Sequence, residues 1–176
     1  YKSTSPWSKY TITKIYPYHY GQNLVKEYEG YSLRFTTNPV YEGATVKCEV
    51  KPTTPTVITI PSTVEINEME FNVTAIEKSA FSQCSNLTSI EFEENSKLTS
   101  IGDGAFYQCS KLTSIEIPSS VKELIGGTHA YNSNSYGCFE SCSNLTSVVF
   151  GDNSQLTSIG DYAFYSCSKL TSIEIP

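Results

Sequence analysis

Residues Ala105–Pro118 read AFYQCSKLTSIEIP, and Ala163–Pro176 read AFYSCSKLTSIEIP. Two further copies flank the first: Ala80–Phe92 reads AFSQCSNLTSIEF, and Cys138–Phe150 reads CFESCSNLTSVVF. The anchors recur in one order: Phe81, Phe106, Phe139 and Phe164, then Cys84, Cys109, Cys142 and Cys167, then Leu87, Leu112, Leu145 and Leu170, with Ile90 and Ile115 in the strands that follow. The cysteines are 25, 33 and 25 residues apart. Constant anchors at variable spacing mean stacked supersecondary units with insertions at one place per turn.

Inside each copy the stretch L-T-S-I-E-I puts Leu112, Ile115 and Ile117 on one side and Ser114 and Glu116 on the other, the pattern of a short half-buried strand. Pro118 and Pro61 end their strands, since proline cannot donate to a ladder. Two copies carry an asparagine three residues after the last apolar strand position, Asn95 and Asn153, where it can satisfy backbone groups at the corner. A second apolar column follows at Ile76, Ile101, Leu124 and Ile159. The G-D-x-A-F-x-x-C segment after it is too short for a full helix and reads as one helical turn, N-capped by Asp103 or Asp161, with Phe and Cys facing inward. No unit of this size buries its own apolar face, so the units must stack.

The pattern extends backwards, because Ile58-Thr59-Ile60-Pro61 matches Ile115-Glu116-Ile117-Pro118. The excess V-E-I-N-E-M-E-F-N-V alternates around Asn67-Glu68 and predicts a small hairpin. Tyr31 to Phe35 and Thr45 to Val50 also alternate, and are expected to pair with the first rung and cover its apolar end. Charge shifts at the same place. Residues 1–56 carry seven basic and four acidic side chains, whereas residues 57–176 carry five and fourteen. The expected organisation is a Tyr-rich leader and β cap over 1–55 and about four repeats over 56–176. The absence of an initiator Met suggests a processed start, and the stop at Ile175-Pro176 without a polar cap suggests further repeats or a second copy over that end.

The combination A-F-x-x-C-x-x-L-T-S-I-x-I-P with S-I-G-D-x-A-F resembles the BspA-like leucine-rich-repeat family, also called the Treponema pallidum type, over roughly residues 56–176. The lead-in E-G-A-T-V-K-C-E-V is similar to that of such proteins in Bacteroidetes-type gut and oral bacteria. The resemblance implies an α/β leucine-rich-repeat solenoid, right-handed, β-rich with short helical turns and an N-terminal β-strand cap. It also implies a secreted or cell-surface protein with an adhesion role, since family members are associated with binding matrix and plasma proteins.

The residues themselves carry little catalytic chemistry. The two histidines, His19 and His129, lie far apart in the chain, and no nucleophile elbow, phosphate-cradling glycine loop or metal-spaced ligand set is present, so neither an enzyme nor a cofactor is expected. The repeat cysteines sit at one apolar position per unit and read as buried free thiols; Cys138 takes an alanine position, and Cys48 lies outside the column. The net charge of −6 argues against nucleic acid, and no apolar run is long enough for membrane insertion. Three sequons, at Asn72, Asn86 and Asn144, are read as by-products, two of them of the repeat itself.

Two surfaces are candidates for binding. Outward strand positions form columns, Ser89, Ser114, Ser147 and Ser172 beside Glu91, Glu116, Val149 and Glu174. The second is an insertion. Ile101 to Cys109 spans eight residues but Leu124 to Cys142 spans eighteen, and the additional stretch is rich in Gly, Ser and Asn, with His129, Tyr131 and Tyr136. Such a composition suits a contact loop. The expected function is therefore a non-enzymatic extracellular module that recognises a host or matrix protein or glycan through the strand face and the 125–137 loop. A structural spacer of a larger surface protein and a carbohydrate-binding accessory module are the alternatives.

Overall fold

The computed structural model describes residues 21–38, 43–54, 56–128 and 135–176. Two sheets face each other across one continuous core, one all parallel and the other mixed. The strand-face sheet stacks β4 (Thr56–Ile60), β7 (Leu87–Phe92), β9 (Ser114–Ile117) and β11 (Ser147–Phe150). The opposite sheet runs from the cap strands β1 (Asn23–Tyr28), β2 (Tyr31–Asn38) and β3 (Gly43–Val50) through β6 (Met69–Ile76) to the two-residue strands β8 (Ser100–Ile101), β10 (Glu123–Leu124) and β12 (Ser158–Ile159). One turn of the solenoid visits each sheet once. Leu87-Thr88-Ser89-Ile90 enters the first sheet and Leu98-Thr99-Ser100-Ile101 the second, so L-T-S-I occurs twice in that turn.

The repeated residue types follow from that geometry. Leu and Ile of each L-T-S-I face the core, and Leu87, Leu98, Ile101 and Leu112 are fully buried. The threonine between them tethers rungs. Thr88, Thr113 and Thr146 Oγ1 donate to the carbonyls of Thr56, Thr88 and Thr113 at 3.0, 3.5 and 3.0 Å. Thr99 and Thr157 do the same in the opposite sheet, to the Thr74 and Lys122 carbonyls at 3.0 Å each. The phenylalanines form a stacked column: Phe81–Phe106, Phe106–Phe139 and Phe139–Phe164 have centroids 5.2, 5.1 and 5.5 Å apart and planes within 6°. That spacing is close to the inter-strand distance, so the aromatic column keeps step with the backbone and adds about 0.5–1.5 kcal/mol per pair beyond area burial.

The expected helical turn is not one, and no helix occurs among the described residues. Ala80, Ser82 and Cys84 N–H donate three residues back to Glu77, Ser79 and Phe81, whereas Ser79, Phe81 and Gln83 donate across to Asp103, Ala105 and Tyr107 of the next rung. Every second amide thus leaves the local turn. The alternation needs left-handed residues, supplied by Ser79, Gln83, Gln108, Ser141, Tyr162 and Ser166 at φ of 54–62°. A helix would keep all its amides and could not bond its neighbours. Left-handed residues four apart, such as Ser79 and Gln83, let the segment stack like a strand while turning like a loop. Asp103 accordingly caps no helix.

The hairpin is as expected. β5 (Thr63–Ile66) pairs antiparallel with β6, Ile66 opposite Met69, and Asn67 and Glu68 have φ of 51° and 62°, the two left-handed residues of a type I′ turn. The cap strands also lie where the alternation put them, with β3 parallel to β6 and β2 antiparallel to β3. Strand β1 was not anticipated; it pairs with β2 through the turn at Glu29-Gly30, where Gly30 has φ of 83°. At the corners, Asn95 and Asn153 act through φ of 59° and 57°, and the side-chain acceptors are Ser96 and Ser154, bonded by the Leu98 and Leu156 N–H at 3.3 Å each. After β10 and β12, Gly126 and Gly160 allow two rungs to touch: a Cβ on Gly126 would lie 2.2 Å from Asp161 N.

Candidate functional site

Strands β7 and β9, with the corners that follow β7, β9 and β11, form the walls of an open groove of about 790 Å³. The alternation that buries Ile90 and Ile115 turns Ser89, Glu91, Ser114 and Glu116 outward. Ser89 stands opposite Ser114, and Ser114 opposite Ser147, while Glu116 faces Val149 in the next strand. Five carboxylates line the groove, Glu91, Glu93, Glu94, Glu116 and Asp152, and no lysine or arginine does. Glu93 is held in place by the Ser62 N–H and Oγ at 2.9 and 3.3 Å. Carboxylates one rung apart, about 5 Å, repel in water by roughly 1 kcal/mol before salt screening. A cationic partner relieves that repulsion. Val149, half exposed, interrupts the glutamate column on β11.

The other sequence-selected residues lie elsewhere. Ser147 is on β11 outside the groove walls, and Ser172 and Glu174 are exposed beyond the last assigned strand. His129 and Tyr131 fall outside the described residues. Tyr136 is not part of the groove; its ring stacks on Tyr107 at 3.9 Å and 10° on the edge made by the turn ladder. The C-terminal base of the insertion is bonded to the preceding rung. Asp103 accepts from Ser135 Oγ (2.7 Å) and Tyr136 N–H (2.8 Å) and pairs with Lys78 Nζ at 2.9 Å. Burial would raise the Asp103 pKa, but Lys78, Ser135 and Tyr136 together hold it below the usual carboxylate value. Tyr162 and Tyr165, exposed and packed edge to face at 5.7 Å, extend this tyrosine edge. The sequence reading missed Tyr107, Tyr162 and Tyr165, although Tyr107 and Tyr165 each follow a repeat Phe and Tyr162 fills the variable position of G-D-x-A-F.

All six cysteines are buried and unbridged. Cys109, Cys142 and Cys167 each donate their S–H to the carbonyl of the preceding rung's phenylalanine, Phe81, Phe106 and Phe139, at 3.1 Å. Burial pushes the Cys109 thiol up to about 12 and Cys167 to about 11, and lifts Cys138 and Cys142 further. Protonated thiols are neither nucleophiles nor metal ligands, and among the described residues no three His, Cys, Asp or Glu side chains gather to hold a metal. Asn86 and Asn144, the two repeat-borne sequon asparagines, donate their amides to the preceding rung: Asn86 to the Pro52 and Thr53 carbonyls (3.3 and 2.9 Å), Asn144 to Ser110 (2.5 Å).

The stacked parallel strands, the repeated L-T-S-I and the closed phenylalanine column define a leucine-rich-repeat solenoid. Residues 58–176 match the BspA type leucine rich repeat region in six copies, and the chain belongs to that family. Solved structures of a treponemal and a pneumococcal protein share the fold. The Treponema pallidum leucine-rich-repeat protein TpLRR is 23% identical, with a TM-score of 0.55 over 86% of this chain and 71% of its own. The pneumococcal vaccine antigen PcpA is 17% identical, with a TM-score of 0.52 over 89% of this chain and 49% of its own. A Bacteroides ovatus leucine-rich-repeat protein is 22% identical, with a TM-score of 0.47 over 82% of this chain and 52% of its own. The chain thus spans about half the length of the pneumococcal protein. No functionally curated protein matches the sequence.

Proposed function

We propose that this chain is a non-catalytic recognition module of a surface or secreted protein, and that it binds a basic segment of a protein partner through the groove between β7 and β9. The carrying observation is the groove itself, lined by five carboxylates and no basic side chain. Family membership supports the surface location, and the raised thiols leave no activated cysteine nucleophile among the column residues Cys109, Cys142 and Cys167. Charge complementarity of this kind acts chiefly on association rate and partner choice, and weakens with salt.

The test uses an array of matrix and plasma proteins and glycans, probed with the wild type and with a Glu91→Lys/Glu116→Lys double variant. Salt-sensitive binding to basic proteins, lost in the variant, supports the reading. Wild-type binding that the variant keeps moves the site elsewhere, and no binding to any array member favours the spacer. The stacked Tyr107–Tyr136 pair supports a second reading, a glycan-binding edge; capture of glycans that survives the double variant and is lost in Tyr107→Ala is its signature.

A further inference from the structure

The six thiols are not equivalent. Phe81, Phe106 and Phe139 N–H donate to the carbonyls of Ala105, Cys138 and Ala163 in the next rung at 2.7, 2.7 and 2.8 Å, and Cys48 N–H donates to Ala80 in the same way at 2.9 Å. Cys48, at the end of cap strand β3, therefore stands where every repeat has its phenylalanine. The repeat thiols each face the phenylalanine of the preceding rung, and by the same step Cys84 faces Cys48. Cys48 brings a second thiol to that place, close enough for the two to shift each other's ionisation, and its Sγ donates to the Val50 carbonyl at 3.2 Å. The cap and the first repeat meet thiol to thiol.

We propose that Cys48 and Cys84 form a disulfide when the protein meets a disulfide oxidant, fastening the N-terminal cap to the first repeat. The roles are unequal. The neighbouring Cys84 thiol lowers the Cys48 thiol, helped by Lys51, and the same contact with burial raises Cys84. Cys48 is the attacking group: its thiolate displaces one thiolate from the oxidant and leaves a mixed disulfide. With the Cys48 sulfur now held in the mixed disulfide, Cys84 gives up its proton and attacks that sulfur as the thiolate; the second oxidant thiolate leaves and takes up the proton. Two protein thiols are oxidised and one oxidant disulfide is reduced to two thiols. The ring so closed contains β4, β5 and β6, and cross-links of this kind restrict the unfolded chain. The column thiols, buried and bonded to carbonyls, stay reduced.

The experiment incubates the reduced, folded chain with glutathione disulfide, blocks free thiols with a maleimide after denaturation, and maps the peptides. The expected result is four blocked thiols, one intramolecular Cys48–Cys84 bond, and a melting temperature higher by about 5–10 °C than that of the reduced chain. Cys48→Ser, a change at the cap junction, should melt like the reduced wild type and show no shift with oxidant. Six reactive thiols after oxidation, a bond between any other pair, a disulfide-linked dimer, or a melting temperature unchanged by the Cys48–Cys84 bond overturns the proposal.

Discussion

Residues 110–118 and 168–176 share the sequence SKLTSIEIP, yet they differ in structure. In the first copy Leu112, Ile115 and Ile117 are buried, at 0, 3 and 1% exposure, and Ser114–Ile117 forms β9 between β7 and β11. In the second, Leu170 and Ile173 are half-buried, Ile175 is 58% exposed, and no strand is assigned. Nine identical residues thus give a core strand where a rung lies on each side and a loose one where a rung lies on only one. Burial in a solenoid belongs to the stack and not to the unit. The N-terminal end differs again: the cap strands β1–β3 and the β5–β6 hairpin cover it, so Phe81 is as buried as Phe106, whereas Phe164 is only half-buried.

Substituting matched positions sharpens that contrast. Phe106→Ala should destabilise by about 3–5 kcal/mol, because it opens a cavity and breaks two ring stacks, and Phe164→Ala by less than half as much; denaturant midpoints of the two variants measure the difference. Gly126→Ala attacks the stack from the corner, forcing its Cβ against the Asp161 backbone, and should lose about 1–3 kcal/mol in thermal melts. It should also loosen the last rung, so that amides of the Phe139 turn exchange faster.

Asp103→Asn should lose about 1–2 kcal/mol at neutral pH, from its charged hydrogen bonds. The pH dependence has a definite sign. The folded-state value of Asp103 lies below its unfolded one, so its contribution is complete above about pH 4 and fades as the pH falls through the folded value. The variant should lack that acid-side loss when stability is measured from pH 7 to pH 2. Its repeat counterpart Asp161 is exposed on the open rung, and Asp161→Asn should stay within about 0.5 kcal/mol of the wild type. The smallest effect on stability belongs to Glu91→Lys/Glu116→Lys, also within about 0.5 kcal/mol, although this variant carries the largest expected change in binding.

Much of this fold was legible in the residues. Period-two alternation located β7, β9 and β11, Pro61 and Pro118 marked the ends of β4 and β9, the Asn67-Glu68 turn located the hairpin, and the alternation of Thr45 to Val50 located the cap. The signals that failed were those that depend on a neighbouring rung. The segment Gly102–Cys109 looks helical because it is short, capped by Asp and ends on inward Phe and Cys; only the next rung's carbonyls reveal that alternate amides leave it. Asp103 reads as a cap until the insertion brings Ser135 and Tyr136 to it from 32 and 33 residues away. Strand β1 was missed because its inward positions are Leu24 and Lys26, which give no apolar alternation. In the candidate site, Ser89, Glu91, Ser114 and Glu116 share a face by strand period alone, whereas the groove's corner residues Glu93, Glu94 and Asp152 join it through turns that no periodicity encodes.

The most direct measurement is hydrogen exchange on the two copies of SKLTSIEIP in the same molecule. If stacking and not sequence makes the rung, the amides of Ser114–Ile117 are strongly protected while those of residues 171–175 exchange near the rate of an unstructured peptide. Equal protection of the two identical segments would contradict it.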